Sequence, residues 1–345
     1  MNIIYKYPIS LTQQFKHCGN AFRVDTYKGC DFGCKYCFAT NRGGNYKNSF
    51  DVADFSIIEN MFFKAFESNK EYRNITVEML KHKVPLHLGG MSDPFQKREF
   101  DYRLTYKLIQ LTNKYHYPMI ISTKSGEMPI EYWNILNPNI HAFQISLFGF
   151  NENFVQKFEG NTYSPNQRIN FIKTLKDNNF WVSLRMQPLI SIDESIKLIK
   201  FIDDYVDFIT VEHLKIPLDN KEIRELLFKL TNTSKSDYIL TGREYELPTE
   251  VKIKNINIIK SISNSKIGCG DNDLHHMSDS NNCCGIDKIN QNFNNWIKYN
   301  SMYLNKTNDF EIWYPKNNCQ QIFNSSCRKK NYSFKDYVLE YMKNQ

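Results

Sequence analysis

The nine cysteines of this 345-residue chain fall into two groups, with none between Cys37 and Cys269. The first group is tight: Gly29-Cys30-Asp31-Phe32-Gly33-Cys34-Lys35-Tyr36-Cys37 reads C-x3-C-x2-C. Three thiolates on one short loop can hold three irons of a cubane cluster, which leaves the fourth iron without a protein ligand. An open iron of that kind can chelate a small molecule through amine and carboxylate groups. Gly29 and Gly33 let the backbone fold closely around such a cluster. The competing chemistry is zinc, whose structural sites take four protein ligands, and Cys18 or His17 can supply the fourth. Cys18 also reads plainly as a buried structural thiol.

The second group is Cys269, Cys283, Cys284, Cys319 and Cys327, with His275 and His276 nearby. These residue types suit a second iron–sulfur cluster or a structural zinc, and redox-active thiols are the third reading. Adjacent cysteines do not comfortably ligate one metal together. That frees one of Cys283 and Cys284 for hydrogen donation or substrate contact. Asp271-Asn272-Asp273 reads as ordinary turn chemistry.

Composition narrows the setting. No run of about eighteen apolar residues is present, so no transmembrane helix is expected. Met1-Asn2-Ile3-Ile4-Tyr5-Lys6 lacks the apolar core of a secretory signal, so a cytoplasmic location is the expectation. In that setting two separated cysteine groups read as metal sites rather than as a disulfide framework. The net charge of +7 comes from scattered Lys and Arg. It is compatible with a nucleic-acid partner and equally with an ordinary soluble enzyme.

The elements that must position these residues alternate. Strand-like runs occur at Phe22–Asp25, Pro85–Leu88, Met119–Ser122, His141–Leu147, Trp181–Met186 and Phe208–Val211. Helical patterns lie between them at 53–66, 101–115, 131–136, 165–178 and 193–204. In the last, Ile196, Ile199 and Ile202 make an apolar stripe for core packing. Six strand–helix units predict parallel strands with right-handed crossovers, an α/β partial (β/α)6 barrel of the TIM type. The chemistry of parallel barrels sits at the carboxyl ends of the strands. After Pro217 the pattern changes, with helices at 219–233 and 251–263. The division expected is a core at 1–218 and a cysteine-containing C-terminal extension at 219–345.

With Tyr36 before the last cysteine and a strand before the first, the triplet resembles the signature of the radical S-adenosylmethionine (SAM) superfamily. The resemblance covers roughly residues 15–216. It implies a [4Fe–4S] cluster on Cys30, Cys34 and Cys37, with SAM chelating the unique iron. One electron from the reduced cluster then cleaves SAM to a 5′-deoxyadenosyl radical, which abstracts hydrogen from substrate. A reducing partner such as flavodoxin or ferredoxin is implied as well, and no membrane. Tyr36 would lie against the adenine. Many members carry Gly-Gly-Glu after strand two, where the SAM ammonium is received; here Gly89-Gly90 is followed by Met91, and Asp93 is the substitute acid. Ser122 and Ser146 close strands three and four and suit ribose and methionyl polar atoms. Lys124 and Arg185 suit the SAM carboxylate through charge-assisted bonds. Glu212 and His213 close strand six, where His213 either faces substrate or packs.

Ser92-Asp93-Pro94-Phe95-Gln96 and Ile121-Ser122-Thr123-Lys124-Ser125 resemble the spore photoproduct lyase-like branch. Those lyases place a hydrogen-donating cysteine a few residues before the Asp, where this chain has glycine, so repair of that lesion by the same route is not implied. The likeness and the charge lean toward a nucleic acid or nucleotide substrate, and the extra cysteines toward a peptide or protein. Many superfamily members carry auxiliary clusters in C-terminal extensions. A zinc-dependent nucleic-acid-binding protein using both cysteine groups is the alternative from a different class.

Overall fold

A computed structural model describes residues 4–11, 20, 22–41, 50–72, 74–280 and 282–293. The expected strands form as β1 (Phe22–Val24), β2 (Leu86–Leu88), β3 (Met119–Thr123), β4 (His141–Ser146), β5 (Val182–Leu189) and β6 (Phe208–His213). A further strand, β7 (Lys266–Cys269), comes from the segment assigned by sequence to the extension. It pairs in parallel with β6, Thr210 opposite Gly268 and Val211 opposite Cys269. These strands, with Ile9–Leu11 antiparallel on β1 at the far edge, make one eight-stranded sheet. The sheet is a partial barrel of the expected class, extended by one parallel strand.

Residues of β2, β3 and β4 are buried on both faces, as parallel strands covered by helices must be. The two faces differ in chemistry. Leu88, Ile121, Phe143, Ile145, Leu184, Ile209 and Val211 join a core with Leu108, Ile172, Leu175, Leu198, Ile199 and Ile202 of the helices. The opposite face carries Arg23, His87, Ser122, Gln144, Arg185 and Thr210, brought side by side by the parallel registers. Alternation therefore leaves the barrel interior polar.

Helix Pro165–Asp177 starts at a capping box of Ser164 and Gln167, and helix Ile192–Ile202 at Ser191. The expected helix 101–115 is two helices, Arg98–Tyr102 and Leu104–Lys114, because Arg103 turns left-handed with φ 53° between them. The buried Glu99 carboxylate accepts the Thr105 and Tyr106 N–H groups, both at 2.9 Å, and so caps the second helix. A short helix at Glu152–Phe158, absent from the sequence expectation, leads into Glu159. No helix among the described residues is long and apolar enough to cross a membrane.

Candidate active site

The loop after β1 carries all three cysteines of the first group. Gly29 (φ 86°) and Gly33 (φ 65°) turn left-handed on either side of Cys30, which winds the loop tightly. Burial pushes the Cys30 thiol up to about 12, with Asp93 adding to it, while the backbone N–H groups of Phe32 and Asp93 point at its sulfur. Burial also raises Cys34, Lys124 opposes this, and Glu159, Cys37 and Cys30 add to it. Three thiols thus lie within electrostatic reach of one another, with amides aimed at a sulfur. That donor set fits a cubane cluster, whose irons are each held by one thiolate and whose sulfurs accept hydrogen bonds. Among the described residues no three His, Cys, Asp or Glu side chains converge as the ligands of a single metal ion would.

The turn after β2 packs against the same end of the barrel. Gly89 has φ 90°, and a Cβ there would stand 2.2 Å from the Ser122 carbonyl oxygen, so only glycine lets β2 and β3 close up. The Met91 N–H donates to the buried Asp25 carboxylate at 2.8 Å, which fixes the turn from β1. Asp93 accepts the Thr123 hydroxyl and the Lys124 N–H, each at 2.7 Å, and the Phe95 N–H at 3.0 Å. It therefore pins this turn to the end of β3.

Tyr36 donates its hydroxyl to Glu159, and its ring meets Phe148 edge-on at 5.8 Å. The Lys124 ammonium stands 5.8 Å from the centre of the Tyr36 ring. Burial would depress that ammonium, but Cys34 and Glu159 more than offset it and hold its pKa above the ordinary lysine value. Glu159 forms a buried ion pair with Arg168 at 2.5 Å. Arg168 also donates to the Ser146 carbonyl oxygen at 2.8 Å.

Deeper in the barrel, the Ser122 hydroxyl is a hub. It meets His87 Nε2 at 2.7 Å, donates to Gln144 at 2.9 Å and receives Arg185 at 3.4 Å. Burial, with the charges of Arg185 and Arg23, holds the His87 pKa well below its usual value, so the ring is neutral. The Ser183 and Thr210 hydroxyls are buried without a hydrogen-bond partner on the same face. Buried orphans of this kind are uncommon and mark places where a ligand or water belongs.

The structure thus gathers Cys30, Cys34, Cys37, Tyr36, Gly89, Gly90, Asp93 and Lys124 at the carboxyl ends of β1 to β3. Ser122 and Arg185 lie further in, and Ser146 contributes its carbonyl to Arg168. The second cysteine group divides between the outward face and the barrel interior. Cys269 pairs with Val211 on the outward, apolar face and is fully buried. Cys283 and Cys284 are buried neighbours with sulfurs 3.5 Å apart. Cys284 lies by Gln144 and Arg185. His275 Nδ1 meets the Cys269 carbonyl oxygen at 3.0 Å. Cys319 and Cys327 lie outside the described residues. His213 packs: it is buried between Asp271, 2.7 Å from Nδ1, and Asn255, 3.2 Å from Nε2. Sequence reading passed over Asp25, His87, Gln144, Glu159 and Arg168. Asp25 directly follows a strand and inward parity marks His87 and Gln144, whereas nothing local marks Glu159 or Arg168.

The sequence profile of the radical SAM superfamily matches residues 24–202, just over half of the chain. The chain belongs to the radical SAM superfamily. Among solved structures, a spore photoproduct lyase variant is similar over 75% of this chain and 78% of its own, at 12% identity and TM-score 0.52. Spore photoproduct lyase complexed with dinucleoside spore photoproduct is similar over 75% and 79%, at 12% identity and TM-score 0.50. At that identity the likeness is one of fold. No curated protein matches the sequence.

Proposed function

We propose that this chain is an enzyme that cleaves SAM reductively, with Cys30, Cys34 and Cys37 holding a [4Fe–4S] cluster. Bound together, the cluster and SAM supply a 5′-deoxyadenosyl radical for abstracting hydrogen from a substrate. The observation that carries the reading is the three-thiol loop at the carboxyl end of β1, with the Phe32 and Asp93 amides directed at Cys30.

The remaining residues bind and orient. The Gly89-Gly90 turn, fixed through Asp25 and Asp93, offers backbone to the SAM amino-acid moiety, and Tyr36 offers a ring face to adenine. Lys124 and Arg185 are the cations for the SAM carboxylate, and Ser122 and Ser146 supply polar atoms near the ribose. The polar interior face, with Gln144, Ser183 and Thr210, receives the substrate segment, a nucleic acid or nucleotide or a peptide or protein. The fold shared with a lyase complexed with a dinucleoside supports the first class. A low-potential one-electron protein donor such as flavodoxin or ferredoxin reduces the cluster. Whether the buried Cys283–Cys284 pair and Cys269 join Cys319 and Cys327 in a second cluster is a matter of iron content: four irons per chain mark the first cluster alone, about eight mark both.

The test is anaerobic reconstitution with iron and sulfide, followed by dithionite reduction with SAM and panels of oligonucleotides and peptides. A brown protein that forms 5′-deoxyadenosine, faster with one panel, is the expected result. A colourless protein holding stoichiometric zinc, or a cluster-loaded protein that never cleaves SAM, would overturn the reading.

A further inference from the structure

A contact between two loops distant in sequence goes beyond ligand chemistry. Residues 157–161 grip the cysteine loop along its length. The Lys35 N–H donates to the Phe158 carbonyl at 2.9 Å and the Asn161 N–H to the Phe32 carbonyl at 3.0 Å. Asn161 Nδ2 reaches the Asp31 carbonyl at 3.1 Å, and Lys35 Nζ reaches the Lys157 carbonyl at 2.6 Å. Cys34 and Glu159 form an antiparallel bridge. At the centre, Glu159 takes the Tyr36 hydroxyl on one oxygen and Arg168 on the other, with Thr162 at 3.1 Å on the latter. Neither Glu159 nor Arg168 has exposed side-chain surface. Arg168 completes the connection, donating to the Ser146 carbonyl at the end of β4 and to the Tyr163 carbonyl, each at 2.8 Å.

A buried ion pair is weak support for stability, since apolar residues of similar volume often do as well. This pair stands instead where position matters. It ties a loop that hangs from β1 to the rigid end of β4, and it places a fixed negative charge beside Cys34 and Tyr36. We propose that Glu159 and Arg168 are positioning residues for the cluster: they set the loop's register across the barrel mouth and, through the Glu159 charge, make the cluster harder to reduce. This rests on the assignment of the cluster to Cys30, Cys34 and Cys37. Potentials of iron–sulfur centres follow net charge, hydrogen bonding and exposure, and a misplacement of about 1 Å in a reacting pair can cost about 100-fold in rate.

The variant to make is the double substitution Glu159→Leu/Arg168→Met, which removes charge and clamp together without leaving one buried ion unpaired; Tyr36→Phe accompanies it and removes only the hydroxyl. Wild type and variants are reconstituted, assayed for iron and thermal melting, and titrated to a midpoint potential by EPR. The expected double variant melts within a few degrees of wild type and binds iron. Because the Glu159 charge acts on Cys34 more strongly than that of Arg168, its midpoint shifts slightly positive; its EPR signal is altered, and its SAM cleavage falls about 100-fold. Tyr36→Phe, which keeps both charges, is expected to hold the midpoint near that of wild type and to lose SAM cleavage by less than the double variant. An unchanged potential and rate in a folded, iron-loaded double variant would overturn the proposal. A double variant that does not fold would also overturn it, by showing the pair to be structural. Failure of wild type itself to assemble a cluster would sink the function instead, so the two failures are distinguishable.

Discussion

The loop Cys30–Cys37 and the segment running from Cys269 to Cys284 use the same side chain in opposite surroundings. The first three cysteines are half-buried on a glycine-turned loop, among amides, a lysine and a buried carboxylate. Cys269, Cys283 and Cys284 are almost fully enclosed and belong to the main apolar cluster. Cys269 is raised to about 12 by burial, as Cys30 is, yet it faces the helices rather than the barrel mouth. A raised thiol pKa therefore does not distinguish a ligand from a core residue. What distinguishes them is what else points at the sulfur and which end of a strand it occupies.

The largest test of that contrast is Cys34→Ala. Removing one of three cluster ligands is expected to abolish SAM cleavage and to lower reconstituted iron sharply, while the circular dichroism melt stays near that of wild type. Retained cleavage would show that the triplet is not the SAM cluster, and would erase the difference between the two groups.

Next in size is Gly89→Ala. The added Cβ meets a backbone oxygen that cannot move without parting β2 from β3, and the left-handed φ adds strain of about 1–3 kcal/mol. A loss of about 3 kcal/mol or more by urea unfolding is expected, together with weakened SAM binding. The same substitution at Gly160, where an added Cβ would meet no atom beyond its chain neighbours within 4 Å, is the control and should be nearly silent. Equal effects at the two positions would mean that the turn after β2 is ordinary.

These contrasts also show how far the sequence could be read. Strand cores were legible because β2 to β6 are short runs rich in apolar and β-branched residues, and their order followed from alternation with helices. β7 escaped because Lys266-Ile267-Gly268-Cys269 is short, holds a glycine and stands among turn residues; only pairing with β6 makes it a strand. The break at Arg103 escaped because the helical pattern runs straight through it, and the carboxylate that caps the second helix is four residues upstream in another one. The cysteine triplet was legible since spacing alone defines a loop ligand set. Glu159 was not, because its meaning lies in a contact with residues more than a hundred positions away, and Arg168 takes its meaning from Glu159.

The amino end of the barrel offers a contrast with the mouth in acid. His141 begins β4 with no exposed surface; its Nδ1 accepts the Asn137 N–H at 3.0 Å, and Nε2 lies 3.0 Å from the Thr112 hydroxyl. Burial pushes its pKa down to about 3. The unfolded imidazole takes its proton near pH 6.5, which the native one refuses, so stability is lost as pH falls below about 6.5 and keeps falling toward 3. One such group gives a slope of at most about 1.4 kcal/mol per pH unit. Urea unfolding between pH 7 and 5 is expected to lose roughly 2 kcal/mol from this site, and His141→Gln should flatten that limb. If the limb is equally steep in the variant, His87 or His275, both held below the usual imidazole value by burial, carries it.

Arg185→Ala acts on the interior hub. It deletes a cation that reaches Ser122 and, through Nε, Gln187 at 2.6 Å. About tenfold weaker SAM binding is expected, the size of one charge-assisted contact. Unchanged SAM affinity would place Arg185 with the substrate rather than with SAM.

The smallest expected effect sharpens the comparison most. Cys269→Ala removes a buried sulfur from the outward face of β7, where Ser278 Oγ accepts the Cys269 backbone N–H at 2.9 Å and survives the substitution. The loss should be about 1 kcal/mol, that of one deleted core atom. SAM cleavage and the iron of the first cluster should stay at wild-type levels. If Cys269 is only a core residue, total iron is also unchanged; if it ligates a second cluster, total iron drops by about half while the SAM-cleaving signal persists. The side chain that looked interchangeable with Cys34 by composition would then be assigned by one iron assay, because a raised thiol pKa is shared by ligand and core cysteine alike and bound iron is not.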